Sequence, residues 1–320
     1  MEYKIVTPAD ANYPKKLKER LGENCPPKLY YHGPLEFLDL FTIATIASDI
    51  QIGSGIKAFW DPEIAIMDFE SNNISGWYSV LETEMFHGAL LRGFAHEKKR
   101  YHNFMTLFSA KGLAKETFED FLLYRFYPPF DKIPVRTEYF RRIKNNDILM
   151  LSIVEPEQGN QLRKNIMERN WIACVLADIV YIPWAPKKSK TLALAKRLVE
   201  AKIPVFTVDK DLLLKWGLYD NPDYYEGLYK LGIKGYDEKA TRQLLTEMGA
   251  KLYVHDESKA FLPMQAPIKE DKPPEKYVPP KPQPTVTQYE FPMTKLAGVK
   301  EPKKSKLQHG KNKGTKSGKK

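Results

Sequence analysis

The sequence predicts an α/β protein: a parallel sheet flanked by helices. Three observations carry this. Short apolar runs alternate with helix-length segments over much of the first 260 residues. Between 147 and 208 the order is strand, helix, strand, helix, strand, at lengths that fit βαβ units, so parallel pairing and right-handed crossovers follow. Near residue 260 the periodicity stops, and Pro and Lys take over.

Taken in order, residues 41–47, with Phe41, Ile43 and Ile46, form a short apolar run suited to a buried strand. Residues 63–68 fit either a second strand or the end of a helix. Residues 80–92 place Leu81, Met85, Leu90 and Leu91 on one helical stripe, and Gly93 is suited to stop it. Residues 94–146 fit the alternation poorly. A strand over 104–108 and helices over 115–124 and 137–145 are separated by the break Tyr127-Pro128-Pro129-Phe130. This segment is expected as an insertion over one end of the sheet. A strand over 147–153, a helix over 165–176, a strand over 178–182, a helix over 191–201 and a strand over 203–208 follow. Residues 211–235, rich in Tyr and Gly, are less regular. A short helix over 241–248, capped at Gly249, leads to a last strand over 251–254. The organisation is therefore an opening segment 1–40 that packs on the core, an α/β domain 41–260 and a tail 261–320.

The formal net charge is +10, but it is unevenly spread. The tail holds 14 Lys, no Arg and five acidic residues, which leaves residues 1–260 at +1. The globule is thus nearly neutral, and overall basicity is no argument for a nucleic-acid partner. Ten of the 24 prolines also lie after residue 260. Such a segment buries too little apolar surface to offset its ordering entropy, so 261–320 is expected to be disordered, ending in a flexible basic arm. That arm either serves solubility or adds non-specific affinity for a polyanion. The two cysteines, Cys25 and Cys174, make no disulfide framework, and no Cys/His spacing fits a structural zinc. The N-terminus lacks the apolar run of a signal peptide, and no stretch reaches the ~20 residues of a membrane span. A cytoplasmic protein with no metal, no cofactor and no membrane association is expected.

The order of the pieces over residues 13–255 resembles the DprA/Smf family of DNA-processing proteins. Tyr13-Pro14 with Leu17, then Pro26-Pro27-Lys28-Leu29-Tyr30 and Gly33, is similar to that family's opening segment. Ile74-Ser75-Gly76 resembles its "SG" turn after the second strand, and Gly88-Ala89-Leu90 with Gly93 resembles the helix that follows. Leu149-Met150-Leu151-Ser152 is similar to "LLSE", Arg169-Asn170 to the "RNR-x-I" signature, and Lys188-Ser189-Lys190-Thr191-Leu192 to "SGSL". There are departures. Where the family's first strand ends in Gly-Ser-Arg, this chain has Ala47-Ser48-Asp49, and the "ARGID-x-x-AH" stretch is lost. The resemblance implies a Rossmann-like fold, single-stranded DNA as the ligand, a RecA-type recombinase as a possible partner and a homodimer. The family's additional N-terminal helical domain and C-terminal winged helix have no counterpart in this sequence.

Ligands of a Rossmann-type sheet bind where strand C-termini meet helix N-termini, because unpaired backbone N–H groups there carry partial positive charge. Ser48, Ser75-Gly76 and Ser189-Lys190-Thr191 fall at such turns. Small residues admit a phosphate and hydroxyls add hydrogen bonds, although each Ser or Thr alone also serves as a plain helix cap. Arg169, expected at a helix start, is suited to grip a phosphate bidentately or to pair with a carboxylate, and Asn170 to bond a base or hold the neighbouring turn. Lys187, Lys188 and Lys190 would add phosphate contacts or form a solvated loop. Trp171, Tyr181 and Trp184 are candidate stacking platforms, or core. Asp49 replaces a cation by an anion. At ~4 Å and an effective dielectric of ~20 a like-sign contact costs about 4 kcal/mol.

No catalytic residue is expected. The loop 183–191 lacks the glycine pair and general acid of the related nucleotide phosphoribohydrolases, with Leu194 at the acid's place. No Walker A loop or Gly-x-Gly-x-x-Gly appears. Glu82 and Glu84 are expected on a solvated helix face. The reading is a single-stranded DNA-binding protein of DNA processing or recombination, without catalysis. The alternatives are a nucleotide-binding or nucleotide-hydrolysing protein of the same fold, or an interaction protein with a degenerate anion site.

Overall fold

The computed structural model describes residues 2–49, 58–92, 103–125, 133–160, 162–218, 223 and 225–253. The expected tail lies outside the described residues, as do 94–102 and 126–132 of the expected insertion.

The elements run β1 (Lys4–Val6), α1 (Lys15–Leu21), β2 (Leu29–His32), β3 (Thr42–Thr45), α2 (Trp60–Met67), β4 (Phe69–Ser75), α3 (Val80–Arg92), β5 (Asn103–Ser109), α4 (Phe118–Arg125), α5 (Ile133–Lys144) and β6 (Ile148–Ser152). They continue with α6 (Arg163–Leu176), β7 (Ile179–Tyr181), α7 (Lys190–Glu200), β8 (Val205–Val208), α8 (Lys210–Lys215), α9 (Glu226–Lys230), β9 (Lys234–Tyr236), α10 (Glu238–Glu247) and β10 (Lys251–Leu252). The strands form one sheet in the order β1-β2-β6-β5-β4-β3-β7-β8-β9, with β10 paired to the start of β4. From β6 to β9 every neighbouring pair is parallel. The antiparallel pairings are β1 with β2, β2 with β6 and β10 with β4. This is the α/β architecture the alternation predicts.

β3, β6 and β7 read as continuous apolar runs because helices cover both faces of the sheet. Alternation sends Ile43 of β3, Ile179 and Tyr181 of β7, and Ile148 and Met150 of β6 into one core layer, with α2, α3 and α10. Their neighbours Ala44, Val180, Leu149 and Leu151 enter the other layer, with α1, α6 and α7.

One expectation needs correcting. The described part of residues 94–146 is not a mere cover over one end of the sheet, because it contains β5, which pairs parallel with both β4 and β6 near the sheet's centre. Of the two readings of residues 63–68, the end of a helix holds: 63–67 close α2 and Asp68 is its C-cap. The true neighbour of β3 is β4, Phe-Glu-Ser-Asn-Asn-Ile-Ser, whose polarity conceals it. Ser71, Asn72 and Asn73 are buried. Asn73 donates to Asn103 Oδ1 at 3.2 Å, and Thr106 donates to Asn72 Oδ1 at 2.9 Å. Pairing across strands replaces water as the partner of Asn72 Oδ1 and Asn73 Nδ2, while Asn73 Oδ1 is buried without one.

Chain order reverses at β3. From it the sheet grows one way through β4, β5 and β6, and the other way through β7, β8 and β9. The crossover from β6 to β7 is α6. In open α/β sheets this switch point leaves a crevice beyond the strand C-termini.

Candidate anion-binding crevice

The crevice is present and has a volume of about 350 Å3. Four segments make it. The first is the end of β3, Ala47-Ser48-Asp49, held against the loop after β7: Ile46 N–H donates to the Tyr181 carbonyl at 3.1 Å and Ser48 N–H to the Trp184 carbonyl at 3.0 Å. The second is the start of α3, with Tyr78, Ser79 and Glu82. The third is α6, with Ile166, Met167, Arg169 and Asn170. The fourth is the start of α7, with Lys190, Thr191 and Leu194. Of the expected ligand residues, Ser48, Arg169, Asn170, Lys190 and Thr191 therefore meet in one place, although they are up to 143 positions apart in the chain.

The others have different places. Ser75 is fully buried, and its hydroxyl accepts from Trp77 N–H at 3.1 Å, so it braces the turn. Gly76 leaves room for Arg169. A Cβ there would coincide with the guanidinium, so the missing side chain accommodates an arginine and not a phosphate. Ser189 is the N-cap of α7, accepting from Leu192 N–H at 3.0 Å. Lys187 is ion-paired with Asp223, whose hydrogen bond raises the ammonium pKa, and it lies outside the lining. Lys188 is exposed and holds φ at 62°, which turns the chain into α7.

Arg169 departs from expectation in two respects. Helix α6 starts at Arg163, so Arg169 is well inside it and not at its start. It is also only 2% exposed. Its Nη1 donates to the Phe108 carbonyl at the end of β5 (3.2 Å) and its Nε to Asn170 Oδ1 (2.9 Å). Asn170 thus holds the arginine. The arginine in turn ties α6 to the sheet beneath the crevice floor.

The three candidate stacking platforms are core. Trp171 lies under the Arg197 guanidinium, 3.5 Å from its ring centroid; Tyr181 stacks on Phe206 at 4.9 Å; Trp184 is edge-on to Phe59 at 5.8 Å. The accessible aromatic ring is Tyr78, 57% exposed at the crevice lip.

Glu82, expected on a solvated face, is the largest surprise. It is buried at the third position of α3 and forms a capping box with Ser79: Glu82 N–H donates to Ser79 Oγ at 3.2 Å, and Ser79 N–H donates to Glu82 Oε2 at 3.3 Å. Glu82 Oε2 also accepts from Tyr78 N–H at 2.7 Å. Its Oε1 reaches across to accept from Ala47 N–H, at the end of β3, at 2.9 Å. Burial, the largest influence, raises its pKa. The Ala47 N–H, the Arg169 charge and the Tyr78 and Ser79 N–H groups pull the other way. The signal for Glu82 is in the sequence, as the spacing Ser79-x-x-Glu82, but nothing local says that a second turn converges on it.

The crevice sets two acidic side chains, Asp49 and Glu82, against two basic ones, Arg169 and Lys190. Among the described residues no group of three or more His, Cys, Asp and Glu is placed to hold a metal, and no helix is long and apolar enough to cross a membrane.

No protein-family model matches the chain, and no curated protein matches it. Solved structures do. DNA processing protein A (DprA) from Streptococcus pneumoniae superposes with a TM-score of 0.56 at 22% identity, over 80% of this chain and 76% of that one. DprA from Helicobacter pylori, solved for its single-stranded DNA binding mode, gives 0.49 at 18% identity, over 77% and 97%. The fold of this chain is the DprA-like Rossmann fold.

Proposed function

We propose that this chain is a single-stranded DNA-binding protein of DNA processing that holds backbone phosphates at the switch-point crevice and does no chemistry on them. The observation that carries the reading is the convergence of Ser48, Lys190 and Thr191, with the capped N-terminus of α7, in one opening. Hydroxyls, a cation and helix N–H groups are what a phosphodiester needs. The fold shared with a DNA processing protein supports the class of ligand. A RecA-type recombinase and a second copy of the chain are the partners that the reading extends to. The basic tail would add sequence-independent affinity.

The test is fluorescence anisotropy with a labelled single strand on the full chain, at several salt concentrations. Combined Lys190→Ala and Thr191→Ala is expected to weaken binding several-fold and to lower the salt slope by about one phosphate contact. Changing Lys303, Lys304 and Lys306 to Gln is expected to lower the slope while leaving the crevice's share intact. Binding that responds only to the tail changes would remove the crevice from the account.

A second reading has the crevice volume in its favour. About 350 Å3 lies in the range of small-ligand pockets, so a free nucleotide would fit. Competition of a mononucleotide against the labelled strand separates the two.

A further inference from the structure

Strand-to-helix turns in this fold present backbone N–H groups to an anion, and in this chain an anion is already there. Ala47 N–H comes from the end of β3, and Tyr78 and Ser79 N–H from the start of α3. Two turns separated by some 30 residues thus aim three donors at one point, and the Glu82 carboxylate fills it with both oxygens. The Arg169 guanidinium in the same crevice supplies the opposing charge.

We propose that Glu82 is the resident anion of the β3/α3 cradle and sets the specificity of the crevice. It bars inorganic or terminal phosphate from these turns and leaves the α7 end, with Lys190 and Thr191, for a phosphodiester. This rests on the phosphate-binding reading of the crevice. A second anion brought within ~4 Å of the carboxylate loses up to about three orders of magnitude in affinity at an effective dielectric of ~20. It would also find the three N–H groups already engaged. The charged or titratable groups around the carboxylate are Arg169 and Cys174 on α6, Asp49 after β3 and Lys190 on α7. Neutralising Glu82 therefore leaves Arg169 and Lys190 against Asp49 alone.

The experiment titrates inorganic sulfate, which does not change charge over the range used, into the full chain, following the backbone amide signals of Ala47, Tyr78 and Ser79 by NMR. In the native chain at about pH 7.5 these signals are expected to stay still. In Glu82→Gln and Glu82→Ala they should shift, with sulfate affinity raised roughly tenfold or more. Variants that fold, by their melting curves, yet bind sulfate no better than the native chain would overturn the proposal. The native chain gives a second arm should the variants unfold. The pKa of this carboxylate is raised by burial, so lowering the pH until it takes up its proton should let sulfate begin to move the three signals. Signals that respond to sulfate equally across the whole acid titration, or never respond, would also sink it. The two readings fail separately. Single-strand affinity indifferent to Lys190→Ala and Thr191→Ala defeats the DNA reading, whereas a sulfate gain in the Glu82 variants upholds the cradle whatever the fate of that reading.

Discussion

The two halves of the crevice use the same backbone chemistry to opposite ends. At the start of α7 the helix is capped by Ser189, and beside that cap Lys190 and Thr191 line the opening. At the start of α3 the corresponding donors are consumed internally by Glu82, and the nearest cation, Arg169, is buried and tied to the Phe108 carbonyl. One half is a binding surface and the other has become structure. Equivalent turns in one sheet thus need not share a role. Whether a turn binds depends on where its neighbouring side chains end.

The sharpest way to break this contrast is to remove the structural half's cation. Arg169→Ala strips the buried carboxylate of its opposing charge and leaves the Phe108 carbonyl short of a donor. A loss of about 3–5 kcal/mol in urea unfolding is expected. Lys190→Ala, in the open half, should change stability by no more than about 0.5 kcal/mol. Similar, small costs for both would mean that Arg169 is not the brace the geometry describes.

A second buried carboxylate sharpens the comparison. Glu63 of α2 is also buried, yet its Oε1 has no hydrogen-bond partner, and burial followed by the Glu84 charge drives its pKa well above the ordinary value. A carboxyl whose pKa is raised on folding stabilises the native state below its unfolded pKa, and that contribution is lost as the pH rises through the folded value. Stability should therefore fall on going from about pH 5 to neutrality. Glu63→Met, of similar volume, is expected to flatten that slope, leaving the part that Glu82 contributes, and to raise neutral-pH stability by about 2 kcal/mol. Unchanged melting across the same range in the native chain would show that Glu63 finds a partner after all.

These differences explain what could be seen in advance. β3, β6 and β7 are legible because strands buried on both faces are continuous apolar runs, as in Leu149-Met150-Leu151. β4 is not, because Asn72 and Asn73 bond to Thr106 and Asn103, partners that a local pattern cannot supply. Three of the crevice residues, Ser48, Lys190 and Thr191, follow from the rule that strand-to-helix turns bind anions, whereas Arg169 and Asn170, expected at a helix start, reach the crevice from inside α6. Glu82 and Tyr78 escape it. A capping box looks the same whether its acid faces solvent or a neighbouring turn, and the exposure of one tyrosine among 18 is set by packing alone. The aromatic residues that read as platforms are consumed by the core instead.

Tyr78 tests the open side at smaller scale. Its ring is exposed at the lip, and Trp77, buried and donating from Nε1 to the Thr106 carbonyl at 3.0 Å, fixes the turn that presents it. If a base stacks there, Tyr78→Ala should cost roughly 1–2 kcal/mol in single-strand affinity with no change in melting temperature. An affinity that does not move would leave the open half with phosphate contacts only.

The smallest effect concerns Ser189, where the two roles of a turn hydroxyl can be separated. Its Oγ accepts from Leu192 N–H, and that bond closes one of the orphan donors of α7. Ser189→Ala should therefore lower stability by about 1 kcal/mol. Single-strand affinity should barely respond, because the hydroxyl oxygen is already committed to the cap. Thr191→Ala should do the reverse: its side chain caps nothing and lines the crevice, so affinity falls while the melting temperature holds. If instead the two variants behave alike, capping and binding at the start of α7 are one interaction, and the open half is no more free of structural duty than the half that Glu82 has closed.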